Sequence, residues 1–265
     1  MKNHYRSIFI SDIHLGSRHC QSEILLGFLK EYKCDTLYLV GDIIDFWKLK
    51  RRFKITSSQV AVLQKILKLS KKGTAIKYVL GNHDADIRPF LKYNINIENI
   101  DIKNEFIHKT VDGKDILVIH GDFCDFLSTS AKWVTQLGDN FYTFSLHFND
   151  MVNFLRKKIG LPYWSVSKYL KHNVKEAVGF IFEFEKILAN YTKKRRCFGV
   201  VAGHIHSAEI KFVDDILYMN DGDFQESGSA LLETHDGDFI LVHYLSGKWT
   251  ATATYDMKTE TIIEG

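Results

Sequence analysis

Five short polar motifs, each standing directly after an apolar run, constrain this chain more than any other feature. They are Ser11-Asp12-Ile13-His14, Gly41-Asp42, Gly81-Asn82-His83-Asp84, His120-Gly121-Asp122 and Gly203-His204-Ile205-His206. The runs that precede them (Ser7 to Ile10, Thr36 to Val40, Ile76 to Leu80, Asp115 to Ile119 and Phe198 to Ala202) read as strands. In α/β sheets the ligand crevice opens beyond the carboxyl ends of the strands. Five such ends can therefore deliver their polar groups to one place.

The spacing between the motifs predicts the rest of the architecture. Gln21 to Tyr32 carries Ile24, Leu25, Phe28 and Leu29 at helical intervals, and Ser57 to Leu69 carries Val60, Leu63, Ile66 and Leu67. Strands alternating with helices predict βαβ units and a sheet with parallel segments. Farther on, Glu105 to Val111 and Asp115 to Ile119 flank an Asp112-Gly113 turn, the pattern of a hairpin. About sixty residues of helical character follow His120, too long for a bare loop. Short strands return after Ala208, punctuated by Asp214-Asp215, Asp221-Gly222 and Asp236-Gly237. The expectation is an α/β fold of two packed sheets with helices outside, a single domain over 1–265 with a helical insertion over 123–191. A chain of 265 residues is long enough to bury such a core.

Taken singly, the motifs are weak. Asp-x-His and His-x-His put two donors on one side of an extended segment, but a solvated turn uses the same residues. Asp42 could cap a helix, and Asn82 could hold a turn open. Jointly, a nitrogen or oxygen donor at every strand end has no packing rationale. Carboxylate, amide and imidazole donors without a thiolate suit hard or borderline divalent ions such as Mn²⁺, Fe²⁺, Co²⁺ or Zn²⁺. None of the four cysteines forms a CxxC pair, which argues against zinc-finger and thioredoxin chemistry.

In order and spacing these blocks resemble the calcineurin-like metallophosphoesterases, whose pattern runs D-x-H, G-D-x-x-D, G-N-H-D, a histidine after a strand, and G-H-x-H. The resemblance covers Asp12 to His206 and implies the family's four-layer α/β/β/α sandwich. It implies that Asp12, His14 and His206 hold one metal ion, that Asn82, His120 and His204 hold a second, and that Asp42 bridges them. Mn²⁺ is the leading candidate for both. By the same resemblance His83 stands at the scissile phosphate as acid or leaving-group stabiliser, Asp84 orients it, and Asp45 lies behind the ligands.

Within the family, the chain is similar to the UDP-2,3-diacylglucosamine diphosphatase group of lipid A biosynthesis. The similarity rests on Gly41 to Trp47 followed by basic residues, the helical insertion after His120-Gly121-Asp122, Gly160 to Ser165 within it, and Asn220 to Asp223 with Glu226-Ser227. This chain keeps a histidine at 83, where the best-defined form of that group has arginine. The expected reaction is metal-dependent hydrolysis of UDP-2,3-diacylglucosamine to UMP and 2,3-diacylglucosamine 1-phosphate. The alternatives are a phosphodiesterase or phosphatase acting on a soluble nucleotide or phosphoprotein, and a non-catalytic scaffold of the same fold.

The substrate contacts expected are Arg51 and Arg52 in the basic loop Lys48 to Lys54, and Trp133, Arg156 and Lys157 in the aromatic insertion, read as a lid for acyl chains. The net charge of +3 implies no extended basic groove, so no nucleic-acid partner is expected. The apolar run around Ile8 is too short for a signal peptide, and no stretch of 18 apolar residues occurs. A cytoplasmic enzyme, peripheral on the inner face of the membrane that carries its glycolipid substrate, fits these features.

Overall fold

A computed structural model describes residues 3–93, 98–127 and 167–265. Its contacts divide the chain into two compact units, Met1–Asp122 with Ala189–Gly265, and Phe123–Leu188. The first unit opens with β1 (His4–Ile10), α1 (Ser22–Glu31), β2 (Lys33–Val40), α2 (Phe46–Arg51), α3 (Ser57–Lys71) and β3 (Ala75–Val79). A 3-10 helix (Ala85–Tyr93), β4 (Ile100–Lys103), β5 (Glu105–Lys109) and β6 (Asp115–Ile119) follow. In the second unit are α4 (Phe123–Leu127) and most of α5 (Ser167–Lys194), which runs on into the first. The chain ends with β7 (Gly199–Ala202), β8 (Glu209–Val213), β9 (Ile216–Asn220), β10 (Ser229–Glu233), β11 (Phe239–Leu245), β12 (Lys248–Asp256) and β13 (Thr261–Glu264).

Two sheets result. One has eight strands in the order β13-β12-β11-β10-β1-β2-β3-β4, the other five in the order β5-β6-β7-β9-β8. Within the first, β1 to β4 are parallel and β10 to β13 antiparallel. Strands β6, β7 and β9 are parallel to one another. A mixed sheet of this kind lets the parallel half aim its strand ends at a crevice while hairpins extend the other half.

Each face of the larger sheet has its own core. On one, Ile8, Ile10, Leu37, Leu39 and Ile76 meet Leu25, Phe28 and Leu29 of α1 and Val62 and Ile66 of α3. On the other, Phe9, Tyr38, Val40 and Val79 meet Phe106, Ile116, Val118, Val201 and Leu217 of the smaller sheet. The alternation of neighbours along β1 thus sends Phe9 into one core and Ile8 and Ile10 into the other, as the two-residue period of a strand requires.

The apolar face expected of the second helix is rotated. Val62 and Ile66 are buried, whereas Val60 and Leu67 are exposed. A capping box sets this phase: the Thr56 side chain accepts from the Gln59 N–H, and the Gln59 side chain accepts from the Thr56 N–H. Gln59 also donates to the Ser17 carbonyl at 2.7 Å, which pins that side of α3 inward. The basic segment expected to be a loop is helical through Arg51, because the Asp45 carboxylate caps α2 by accepting from the Lys48 N–H at 2.9 Å.

Candidate metal centre

All five motifs emerge at strand ends: after β1, β2, β3, β6 and β7. Backbone bonds tie the first two loops together, with the Asp12 N–H on the Gly41 carbonyl at 3.1 Å and the His14 N–H on the Asp42 carbonyl at 2.9 Å. Close approach depends on missing side chains. A Cβ at Gly41, whose φ is +90°, would lie 2.4 Å from the His120 ring, and one at Gly81 would lie 2.2 Å from Asp42 Oδ1.

The backbone here adopts conformations that ordinary residues avoid. Asp12, His14, Asp42, His204 and His206 have φ of 49, 49, 52, 71 and 54°, half of the ten non-glycine residues with positive φ among those described. Such conformations cost about 1–3 kcal/mol each and persist where the surroundings over-determine them. Here they turn side chains toward a common point.

That point is organised around Asp42. Its Oδ2 lies 3.4 Å from His120 Nε2, 3.7 Å from His14 Nε2 and 3.9 Å from His83 Nε2. Its Oδ1 is held by the His83 N–H at 2.8 Å. Asp12 is divided in the same way. Its Oδ2 accepts from Ser11 Oγ at 2.5 Å and from the His204 N–H at 2.9 Å. Its Oδ1 faces His206 Nε2 at 3.1 Å and His14 Nε2 at 3.7 Å. His120 donates through Nδ1 to the Val40 carbonyl at 2.8 Å, which fixes its ring and leaves Nε2 as a lone-pair donor toward Asp42.

Four buried atoms of this cluster have no hydrogen-bond partner: Asp12 Oδ1, His14 Nε2, Asn82 Oδ1 and His120 Nε2. Orphaned buried polar atoms cost about 1–3 kcal/mol each, so native proteins rarely keep them without a use. Three overlapping groups have donor atoms close enough to share an ion: Asp12, His14 and His206; Asp42, His120 and His204; and His14, Asp42 and His83. The nitrogen and oxygen donor set, the orphaned atoms and the convergence all fit divalent ions.

The electrostatics agree. Burial alone would raise Asp12, yet the His206 and His120 imidazoles outweigh it and hold the carboxyl well below its usual range. Burial opposes a charged His14, but Asp12, Asp45 and Asp42 hold its pKa up at about 10. The same balance lifts His120, where Asp42 and Asp12 override the burial. A negative potential strong enough to do this to buried imidazoles is one that a divalent ion would neutralise.

The resemblance had placed Asp84 behind His83, and the structure corrects this. His83 Nδ1 lies 3.1 Å from Asp45 Oδ1, while the Trp47 ring lies against the imidazole with centroids 4.1 Å apart. Asp84 accepts instead from the Ile43 and Ile44 N–H groups at 3.1 and 2.8 Å and from the Tyr78 hydroxyl at 2.7 Å. Its role is to shape the loop that carries Asp42 and Asp45. Burial and the Asp42 carboxylate push Asp84 up to about 6.

Arg51 and Arg52 are exposed at the end of α2 and make no salt bridge among the described residues. Trp133, Arg156 and Lys157 lie outside the described residues. Motif spacing assigned no role to two further contributors, Ser11 and Arg88. Ser11 joins Asp12 to Asp221 by its hydroxyl, which lies 2.6 Å from Asp221 Oδ1, and burial pushes Asp221 well up. Arg88 donates to Asp122 at 2.7 Å and so braces the fourth motif against the third.

Residues 5–208 match the family model for calcineurin-like phosphoesterases. The chain belongs to that family. As a calcineurin-like phosphoesterase it carries every block of the motif series on strand ends of the mixed α/β fold. Several curated relatives share one name. A UDP-2,3-diacylglucosamine hydrolase of Neisseria gonorrhoeae is 32% identical over 121 residues, 44% of this chain and 48% of that protein. One from Psychromonas ingrahamii is 31% identical over 163 residues, 58% of this chain and 62% of that protein. One from Porphyromonas gingivalis is 28% identical over 121 residues, 43% of this chain and 45% of that protein. The match thus spans about half the length of these relatives.

Proposed function

We propose that this phosphoesterase hydrolyses the diphosphate of UDP-2,3-diacylglucosamine, releasing UMP and 2,3-diacylglucosamine 1-phosphate. The observation that carries hydrolysis is the convergence of two donor groups on Asp42 with four buried atoms left unpartnered. The name shared by the relatives supports the substrate. In this reading Asp12, His14 and His206 hold one ion, Asn82, His120 and His204 hold the other, and Asp42 touches both. Mn²⁺ suits the mixed carboxylate, amide and imidazole set.

Two divalent ions bound there would acidify a water and offset charge on the phosphoryl oxygens. The protein's own part is to position and to supply a proton. His83 is oriented by Asp45 at Nδ1 and by Trp47 across its face, so its Nε2 points to the Asp42 side. From there it protonates or steadies the leaving phosphate oxygen. Asp84 keeps the loop from Asp42 to Asp45 in register through the Ile43 and Ile44 N–H groups.

No helix among the described residues is long and apolar enough to cross a membrane. A glycolipid substrate would instead place the protein peripherally, on the cytoplasmic face of the membrane. The aromatic sequence of the insertion would serve the acyl chains, and Arg51 and Arg52 the diphosphate. His83, where the best-defined members of the group have arginine, favours one second reading: a phosphodiesterase for a soluble nucleotide.

The deciding assay sets UDP-2,3-diacylglucosamine beside bis-p-nitrophenyl phosphate with Mn²⁺, using wild type, Asp42→Ala and His83→Ala. Asp42→Ala should lose several kcal/mol of transition-state stabilisation, roughly a thousandfold or more in rate, on either substrate. His83→Ala should lose about 10²–10⁴-fold. Lipid turnover lost in both variants sustains the proposal. Turnover of the chromogenic ester alone moves the substrate to the second reading, and no turnover of either rejects hydrolysis.

A further inference from the structure

At the opposite end of β1, the sheet gathers a second set of metal-ligating side chains that the hydrolytic reading does not use. His4 is the first residue of β1 and Asp35 the third of β2. The parallel register sets His4 opposite Lys33, which leaves Asp35 two residues farther along β2 as its diagonal neighbour. On the other flank β10 runs antiparallel to β1, with Ser7 opposite Glu233, so the chain leaves the sheet just before His235 at that same end. The turn carrying His235 is closed by the Thr234 N–H on the Asp238 carbonyl at 2.9 Å and the Asp238 N–H on Thr234 Oγ1 at 3.0 Å. Seven residues of strand, about 20 Å at the usual rise, separate this edge from the motif after β1.

We propose that His4, Asp35 and His235 form a surface site for a borderline divalent transition ion, Zn²⁺ or Ni²⁺, independent of the strand-end centre. His4 Nε2 lies 3.1 Å from Asp35 Oδ1, and His235 Nε2 lies 3.0 Å from Asp35 Oδ2. All three donor atoms fall within 4.8 Å of one another. Tetrahedral zinc with bonds of about 2.0–2.1 Å sets neighbouring ligand atoms about 3.3–3.4 Å apart, close to the two imidazole–carboxylate separations here. The rings are tilted by 46° with centroids 5.3 Å apart, so they do not stack face to face.

The charge arrangement points the same way. No lysine or arginine forms a salt bridge with Asp35 among the described residues; only the two imidazoles do. An exposed imidazole–carboxylate contact contributes little to stability by itself and costs the order of three side chains. Two imidazoles on one carboxylate match the donor set of first-row divalent sites, with the remaining coordination open to water. Such an ion would clip the start of β1 to β2 and to the β10–β11 turn, away from any substrate.

The test is zinc titration calorimetry on the full, untagged chain after chelator treatment and dialysis, comparing wild type with His235→Ala and Asp35→Asn. Both side chains are exposed, so folding should survive, which circular dichroism checks. Wild type should bind one more equivalent of Zn²⁺ than either variant. The affinity of that class should fall by more than the roughly 10–100-fold that an outer-shell partner contributes. Mn²⁺-supported hydrolysis of bis-p-nitrophenyl phosphate should be the same in all three. Equal stoichiometry and affinity in wild type and both variants would overturn the site, whatever the activity. If Asp35→Asn is unstable, His4→Ala replaces it with the same expectation.

Discussion

Two buried polar clusters share strands β1 and β2, and they are built on different principles. One is the candidate metal centre after β1, β2, β3, β6 and β7. The other lies in the interior, where Arg6 of β1 donates to Glu233 of β10 and His108 of β5 reaches Glu233 through Nε2 at 3.0 Å. The Tyr38 hydroxyl of β2 lies 3.0 Å from His108 Nδ1. The interior cluster matches its anion with a cation at Glu233 Oε1 and gives both imidazole nitrogens a partner, which leaves Glu233 Oε2 as its one atom without a hydrogen bond. The metal centre crowds carboxylates and imidazoles together and leaves four atoms bare. A charge-matched cluster that joins the larger sheet to the smaller one keeps the sheets in register. An unsatisfied one at strand ends is built for something that arrives from outside.

Breaking the interior cluster should give the largest stability effect. Glu233→Ala strands the Arg6 and His108 side chains at the interface between the sheets, where Glu233 itself is fully buried. Removing one partner of a buried pair costs about 3–5 kcal/mol. Urea unfolding should show that loss, while activity per folded molecule stays at the wild-type level. A stable variant with lost activity would mean that the two clusters are one.

Emptying the metal centre should cost less stability and all of the activity. Ligands that bind only the native state stabilise it by about 2.7 kcal/mol at a hundred times their dissociation constant. Chelation should therefore lower the melting temperature, abolish hydrolysis and be reversed by Mn²⁺. An unchanged melting temperature with lost activity would limit the ions to chemistry. Unchanged activity would remove them from it.

The legibility of the two clusters differs for a physical reason. The metal centre is written as local motifs, because each strand end contributes neighbouring donors such as Asp12 with His14 and His204 with His206. The interior cluster draws single residues from four strands, and nothing local marks His108 or Glu233 as partners. The partner of His83 was misplaced for the same reason. Asp84 is adjacent in sequence, whereas Asp45 arrives from another loop. The left-handed backbone at Asp12, His14 and Asp42 was equally hidden, since tertiary contacts impose it on residues that do not favour it. The phase of α3 slipped because Val60 and Val62 are interchangeable by hydropathy, and the Gln59 bond to Ser17 decides between them.

Asp45 sharpens the comparison most finely, because it serves both purposes. Its Oδ1 caps α2 and receives His83 Nδ1, and its Oδ2 lies 3.7 Å from His14 Nδ1. The His14 and His83 contacts hold its carboxyl below the usual range against the effect of burial. Asparagine caps helices about as well as aspartate, so Asp45→Asn should leave stability within roughly 0.5 kcal/mol of wild type. The negative charge behind two imidazoles is lost, however, and outer-shell partners of this kind are worth about 10–100-fold. The expected result is a fall in kcat of that size with KM nearly unchanged, and a weaker hold on Mn²⁺ through His14. If kcat fell while Mn²⁺ affinity did not, Asp45 would act through His83 alone. If the reverse held, His83 would take its orientation from Trp47 and the loop instead.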